Sequence, residues 1–425
     1  MEMTSRERVI EVINHRVPDK VPVDLGSTVV SGISATTYYK LRRALGLPEQ
    51  PVKIFEMLQF VARVDDDVRD ALGIDLAPLP YPVDTTGLFY KDLKPFTTPN
   101  GTPALLSGGS EWDVLEDGSV VLYPSGDRNY PPSMRMLNDG MYFDNIASRL
   151  PDLDEKNLNP REDYKNDFNL ISDEVASYLE SESKRLDEET SYGIVGQFPG
   201  ALLGDAGMVP NAGLREPKGI RKLEDYLMAH ALFPEYLMEV YDMQTEIVMK
   251  NLEIYKQAVG DRIQIVLLST ADYGNQNSEM IAPHIFREIY KPFYTKMNDW
   301  VHKNTNWKIM YHSCGSIVNL LDDYVEMGAD IMNPLQLSAR GMDGKMLKEK
   351  YGDKLVLWGG GIDTQSTLFF GTPEEVKREA IERLALFSKD GGYVFNAVHN
   401  IVGNVPIENI IAFFDAAKEF NQANN

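Results

Sequence analysis

The chain has one cysteine, Cys314, in 425 residues, so no disulfide can form within it, as suits a reducing compartment. It has no basic cluster. Sixty-four acidic residues stand against 42 basic ones, and the net charge of −22 argues against nucleic acid or an anionic membrane as partner. No apolar run approaches the ~20 residues of a membrane-spanning helix. The opening Met-Glu-Met-Thr-Ser-Arg-Glu-Arg lacks the apolar core of an export signal, so a cytoplasmic protein is expected. There is no Gly-x-Ser-x-Gly elbow to suggest a Ser-His-Asp hydrolase, and no Gly-rich dinucleotide fingerprint. Histidine is also scarce, six in all, which makes the position of each informative.

What is present is a regular alternation. Thr4 and Glu7 form a capping box before an amphipathic stretch, so a helix opens the protein, followed by a short strand ending at Asp24. Residues 37–46 and 55–72 have helical spacing, the second closing at Gly73 before a strand over 74–79. From 82 to 150 aromatics, Pro, Gly and Asp-Gly pairs separate short β-prone runs, with a hairpin over 112–123 turning at Asp117-Gly118. Residues 151–190 are acidic and helical. A strand over 192–198 leads into a Gly/Pro-rich loop, 199–219, and a helical region over 223–258 interrupted at Pro234. Then five β/α units follow in order, with strands at 263–268, 307–311, 330–335, 355–358 and 393–398. With three strands from the first half they make eight, and alternation of this kind implies a parallel sheet. The expected fold is α/β, a (β/α)8 TIM barrel over residues 1–425, with 82–190 as an inserted β-hairpin-rich and helical segment or lid.

The chemistry-bearing residues cluster by position. Asp272, His312, Cys314, Gln336, Asp363 and His399 all fall at or just after the C-terminal ends of predicted strands, the face on which barrel enzymes build their sites. His312 and Cys314, two apart at a strand end, face the same way and make half of a zinc site. His399 is the best third ligand and Asp272 the alternative or a fourth; for each, a hydrogen-bonding role is the competing reading. His399 ends the eighth strand and must reach across the mouth. Asn333-Pro-Leu-Gln336 places an amide at the mouth suited to orienting a ligand, and Asp24 is a further mouth candidate. Gly359-Gly-Gly-Ile-Asp363 could let a flat or phosphorylated ligand approach the backbone, though a tight strand-to-loop turn is the favoured reading. His15, His230, His284 and His302 fall in predicted helices or at their ends and are given no role.

Five segments carry a resemblance: Met310-Tyr-His-Ser-Cys-Gly-Ser316, Met327-Gly-Ala-Asp-Ile-Met-Asn-Pro-Leu-Gln336, Gly360-Gly-Ile-Asp363 with Phe370-Gly-Thr-Pro-Glu-Glu-Val376, and Val405-Pro-Ile-Glu-Asn409. Together they resemble the uroporphyrinogen decarboxylase superfamily, over roughly residues 260–420. The resemblance implies a TIM barrel and one of two activities. Uroporphyrinogen decarboxylases need no cofactor and hold their polycarboxylate substrate with arginines from a Met-Arg-Gln-Ala-Gly-Arg-like segment after the first strand. Here that place reads Asp24-Leu-Gly-Ser-Thr-Val-Val-Ser-Gly32, without arginine, which would bind a polyanion badly.

The other branch contains corrinoid-linked methyltransferases, similar to the methylcobamide:coenzyme M and O-demethylase types, whose zinc motif is His-x-Cys followed by a Cys upstream of a Pro-x-x-Asn helix start. The chain has His312-Ser-Cys314, and His399 stands where the second Cys is expected before Pro406-Ile-Glu-Asn409. The resemblance therefore implies zinc on His312, Cys314 and His399, with Asp272, Gln336 and Asp363 serving catalysis. It also implies a methylcorrinoid carried by a partner protein and a small methylated substrate or methyl acceptor. Tyr81, Phe89, Tyr90 and Tyr123 of the insertion are candidates to line the pocket. The competing expectations are a decarboxylase acting on a porphyrinogen without cofactor, and a barrel that has lost its chemistry and serves as a binding partner.

Overall fold

The opening helix forms where its capping box places it. In the computed structural model, which describes residues 2–204 and 211–423, the Thr4 hydroxyl accepts from the Glu7 N–H and the Glu7 carboxylate accepts from the Thr4 N–H, starting α1 (Ser5–Ile13). Val9, Val12 and Ile13, spaced to share one face, are buried.

Seven strands form one parallel sheet: β1 (Leu76–Leu79), β2 (Gly193–Gln197), β3 (Ile265–Ser269), β4 (Lys308–His312), β5 (Ile331–Asn333), β6 (Val356–Trp358) and β7 (Tyr393–Val394), each paired with the next in chain order. Residues 22–24 supply the eighth position. Asp24 N–H donates to Phe395 O (2.9 Å) and Phe395 N–H to Pro22 O (2.9 Å), while on the other edge Asp75 N–H donates to Val23 O (2.8 Å). The sheet thereby closes into a (β/α)8 barrel. The first predicted strand is thus in place, shortened to a bridge at Val23.

Inside the barrel, Leu76, Val195, Ile265, Leu267, Met310, Ile331, Val356, Trp358 and Val394 pack as one core, and Val9, Val12 and Ile13 of α1 plug its N-terminal end. A strand returns to the same face every second residue. The register that sends Met310 and Ile331 inward therefore sends His312 and Asn333 inward one layer higher, paired directly across β4 and β5. Gln197, His312, Asn333 and Asn396 are all buried in this upper layer.

Two small sheets are built from strands on either side of β1, all ahead of β2. One joins Val52–Glu56, Val61–Ala62, Pro103–Leu106 and Lys94–Thr97, and the other is antiparallel, with Trp112–Val114, Val120–Leu122, Met134–Met136 and Asp144–Asn145. The predicted hairpin is present, with Gly118 at φ +81° in its turn. The helix expected over 55–72 is present only from Asp66 to Leu72. Its first half is spent on neighbours instead: Ala62 N–H donates to Ile33 O and Phe60 O accepts from Ala35, with Phe60 itself at φ +51°, outside the helical region. The expected 223–258 helix divides as predicted, Leu223–Leu232 and Pro234–Val259, with Pro234 opening the second. Residues 205–210 of the Gly/Pro-rich loop lie outside the described residues. No helix among the described residues is long and apolar enough to cross a membrane.

Candidate metal-binding site

The barrel mouth brings His312, Cys314 and His399 together. Their ligand atoms lie within 4.8 Å of one another. His312 arrives on the last residue of β4, Cys314 on the turn that follows it, and His399 on the loop after β7. The reach across the mouth is met: the rings of His312 and His399 are 5.2 Å apart at an interplanar angle of 67°. Cys314 Sγ is 3.4 Å from His312 Nε2. Two ligands on one ion, with bonds of about 2.0–2.3 Å, are compatible with that separation.

The turn carrying Cys314 is held from three sides. Asp272 Oδ1 accepts the Cys314 N–H (2.6 Å) and lies 3.7 Å from His312 Nε2, so the predicted alternative ligand borders the trio. Gln336 Oε1 accepts the Gly315 N–H (2.7 Å), and its Nε2 donates to Gln276 Oε1 (3.1 Å). Ser313 Oγ accepts the Tyr273 N–H (2.9 Å). Gly315 sits at φ +84°, and a Cβ there would stand 2.5 Å from the backbone of Gly274, so the Asp272 and Cys314 turns touch through glycine. Asp363 stands apart from this cluster: its Oδ1 accepts the Gln365 N–H (2.8 Å), and its own N–H donates to Glu379 Oε1 (3.1 Å). Asp24 is fully buried and takes Trp358 Nε1–H (3.1 Å) and Ser27 N–H (3.0 Å).

Burial sets the charge states. It pushes both histidines down to about 4, with the other imidazole adding to the effect at His399, so both are neutral near pH 7 and can donate a lone pair. Burial, then the neighbouring Asp272 carboxylate, raises the Cys314 thiol well above its ordinary value. Burial also raises Asp272, against the pull of the Cys314 N–H. One thiol and two neutral imidazoles, sheltered and converging, are a donor set for a borderline-soft divalent ion. The arrangement can polarise a substrate heteroatom through that ion, or exchange a proton at Asp272.

Sequence reading left Asn333 without a partner among the protein's own side chains. Its Oδ1 lies 2.6 Å from His312 Nδ1, and its Nδ2 donates to Trp358 O (3.3 Å). The available signal was the period of two, since Asn333 follows inward-facing Ile331 as His312 follows Met310. Two cavities, of about 750 and 570 Å³, lie elsewhere; the larger is at the opposite end of the barrel among Arg8, Arg69 and Asp75.

Comparison with known proteins bears on the fold and the family. A methyltransferase from Methanosarcina mazei superposes over 99% of each chain with a TM-score of 0.56 and 17% sequence identity, a likeness of fold. The uroporphyrinogen decarboxylase of Psychromonas ingrahamii is 36% identical over 80 residues, 19% of this chain and 22% of that protein. That of Actinobacillus succinogenes is 34% identical over 76 residues, 18% and 21%. The chain thus spans about a fifth of the length of these relatives. The uroporphyrinogen decarboxylase (URO-D) family model matches residues 212–420, the stretch that supplies β3 to β7, His312, Cys314 and His399, and the chain accordingly carries a URO-D family domain there.

Proposed function

We propose that this protein is a zinc-dependent methyltransferase that moves a methyl group between a small molecule and the cobalt of a corrinoid protein. The observation that carries the reading is the convergence of His312, Cys314 and His399 at the barrel mouth, with ligand atoms within 4.8 Å of one another. Three such ligands hold zinc and leave one coordination position open, with Asp272 the nearest candidate for a fourth. Zinc bound there supplies Lewis-acid activation of a substrate heteroatom. The chain's own residues do the rest. Neutral imidazoles present lone pairs, Gln336 braces the turn at Gly315, and Asp272 holds the Cys314 backbone beside the ligand atoms. Asp363, on the turn that follows β6, would orient the small molecule.

Residues 82–190 act as a lid in this reading. Met141 lies so close to Gly403, on the loop that carries His399, that a Cβ at Gly403 would meet its sulfur at 2.0 Å. A corrinoid protein would dock over the open part of the mouth.

A second reading, cofactor-free decarboxylation of a porphyrinogen, is favoured by the curated relatives that share sequence with this chain. The absence of arginine from residues 24–32 weighs against it. One experiment separates the two. Zinc content is measured on protein purified without chelator, for the wild type, Cys314→Ala and His399→Ala, and each is given methylcob(III)alamin with a panel of small thiols. Stoichiometric zinc lost in both variants, with demethylation of the corrinoid by the wild type alone, is expected. Zinc lost only with Cys314→Ala moves the third ligand to Asp272. Zinc-free protein that releases CO2 from uroporphyrinogen would give the site to the second reading.

A further inference from the structure

Two histidines face each other across the mouth, and only one of them is tied down. Among the described residues no hydrogen bond reaches either ring nitrogen of His399, whereas His312 Nδ1 lies 2.6 Å from Asn333 Oδ1. The identity of the Asn333 atom at that contact follows from its other end. The second amide atom lies 3.3 Å from the main-chain carbonyl of Trp358, and a carbonyl only accepts, so the NH2 group is on that side and the oxygen faces the histidine. An amide oxygen likewise only accepts. The proton of the neutral imidazole must therefore sit on Nδ1, and the lone pair on Nε2. Nε2 is the nitrogen that faces Cys314 Sγ at 3.4 Å and Asp272 Oδ1 at 3.7 Å.

We infer that Asn333 is the positioning residue of the site, fixing His312 in the one tautomer and ring orientation that offers Nε2 to a metal ion. The inference rests on the metal-binding reading above for its purpose, but its geometry stands alone. Asn333 is itself held in place. It is fully buried, it lies opposite His312 in the register of β4 and β5, and its amide is anchored on β6 through Trp358 O, whose indole N–H is anchored in turn on Asp24 (3.1 Å). Four elements thus converge on the orientation of one ring. Partners of this kind fix which ring nitrogen is free and raise the basicity of the ligand, and losing one typically costs about 10–100-fold in metal affinity.

The test uses three proteins, wild type, Asn333→Ala and Asn333→Asp, with two readouts. The first is zinc affinity by competition with a chromogenic chelator. The second is the tautomer of His312 in the metal-free protein, from long-range 15N–1H correlations on histidine-labelled material, with the signal assigned by His312→Gln. The expected results are an Nδ1–H tautomer in the wild type and a mixture in Asn333→Ala. Zinc binding should weaken about 10–100-fold in Asn333→Ala, and Asn333→Asp, which keeps the acceptor, should restore most of it. Wild-type zinc affinity in Asn333→Ala, or an Nε2–H tautomer in the wild type, overturns the inference while leaving the metal site standing. A wild type that binds no zinc defeats the metal reading instead, and the tautomer then decides the role of Asn333 by itself. If Asn333→Ala does not fold, the comparison of wild type with Asn333→Asp carries the test, because a carboxylate still accepts from Nδ1.

Discussion

At the end of the barrel plugged by α1, charges come in matched sets; at the mouth they do not. Buried Arg8 donates from Nε to Asp19 (2.7 Å) and from Nη1 to Asp75 (2.5 Å), and Asp75 also takes the Ser5 hydroxyl (2.7 Å) and the Val23 N–H (3.0 Å). Asp330, just ahead of β5, pairs with His302 (2.8 Å) and Lys308 (3.3 Å). At the mouth a thiol and two neutral imidazoles converge without cations or anions to satisfy them, apart from Asp272, which has no Lys or Arg partner among the described residues. One end is arranged to hold the barrel shut, and the other leaves donor atoms open. Departures from local satisfaction of this kind mark the part of a fold reserved for function.

The contrast can be broken in order of effect. Replacing Cys314 by Ala should abolish stoichiometric metal binding while leaving the denaturant midpoint of the metal-free protein close to wild type, because the side chain gives up a weak contact, to His312 Nε2. Asp75→Ala should do the reverse. Removing Asp75 leaves buried Arg8 with Asp19 as its one carboxylate partner and takes the acceptor from the Val23 N–H, which costs about 1–3 kcal/mol, read from denaturant unfolding, with metal stoichiometry unchanged in the folded protein. If that variant also lost its metal, the two ends would be coupled and the division drawn here would fail. Gly315→Ala lies between these extremes. With φ at +84° and the Gly274 backbone 2.5 Å from the new Cβ, it should cost about 1–3 kcal/mol of strain and weaken metal binding together, since the Asp272 and Cys314 turns must part.

The smallest effect belongs to His302, raised above its ordinary value of 6.5 first by its hydrogen bond to Asp330, against burial. A group whose folded value is raised stabilises fully below the unfolded value and loses that contribution as pH rises through the folded one. Stability should therefore fall from this source on going upward from pH 6.5. His302→Gln should flatten that part of the profile, by under about 1 kcal/mol because the pair is partly exposed. Metal binding should not follow it.

The same division governs what could be read beforehand. The capping boxes at Thr4 and Thr372, the strand end at His312 and the break at Pro234 are local signals, and each is where the sequence places it, whereas β3 stops at Ser269, short of Asp272, and β7 at Val394, short of His399. The stretch 55–62 was misread because its helical spacing is overridden by pairing with residues 33–35, a partner that periodicity does not encode. The trio was legible as residue types at strand ends, and its spacing across the mouth was not, since that depends on barrel closure. Asn333 escaped for the same reason: its role exists only once β4 and β5 are in register.

Closure by residues 22–24 also bears on how the chain comes to its fold. The edge that completes the barrel is contributed from near the start of the sequence, and Phe395, its partner, from near the end. Until the last β/α unit has been synthesised, the growing sheet keeps an unpaired edge and α1 has no finished ring to plug. Contacts so distant in sequence form late and slowly, and an open edge is a template for pairing with another chain. The barrel is therefore a structure completed all at once, when the segment carrying Phe395 meets residues 22–24.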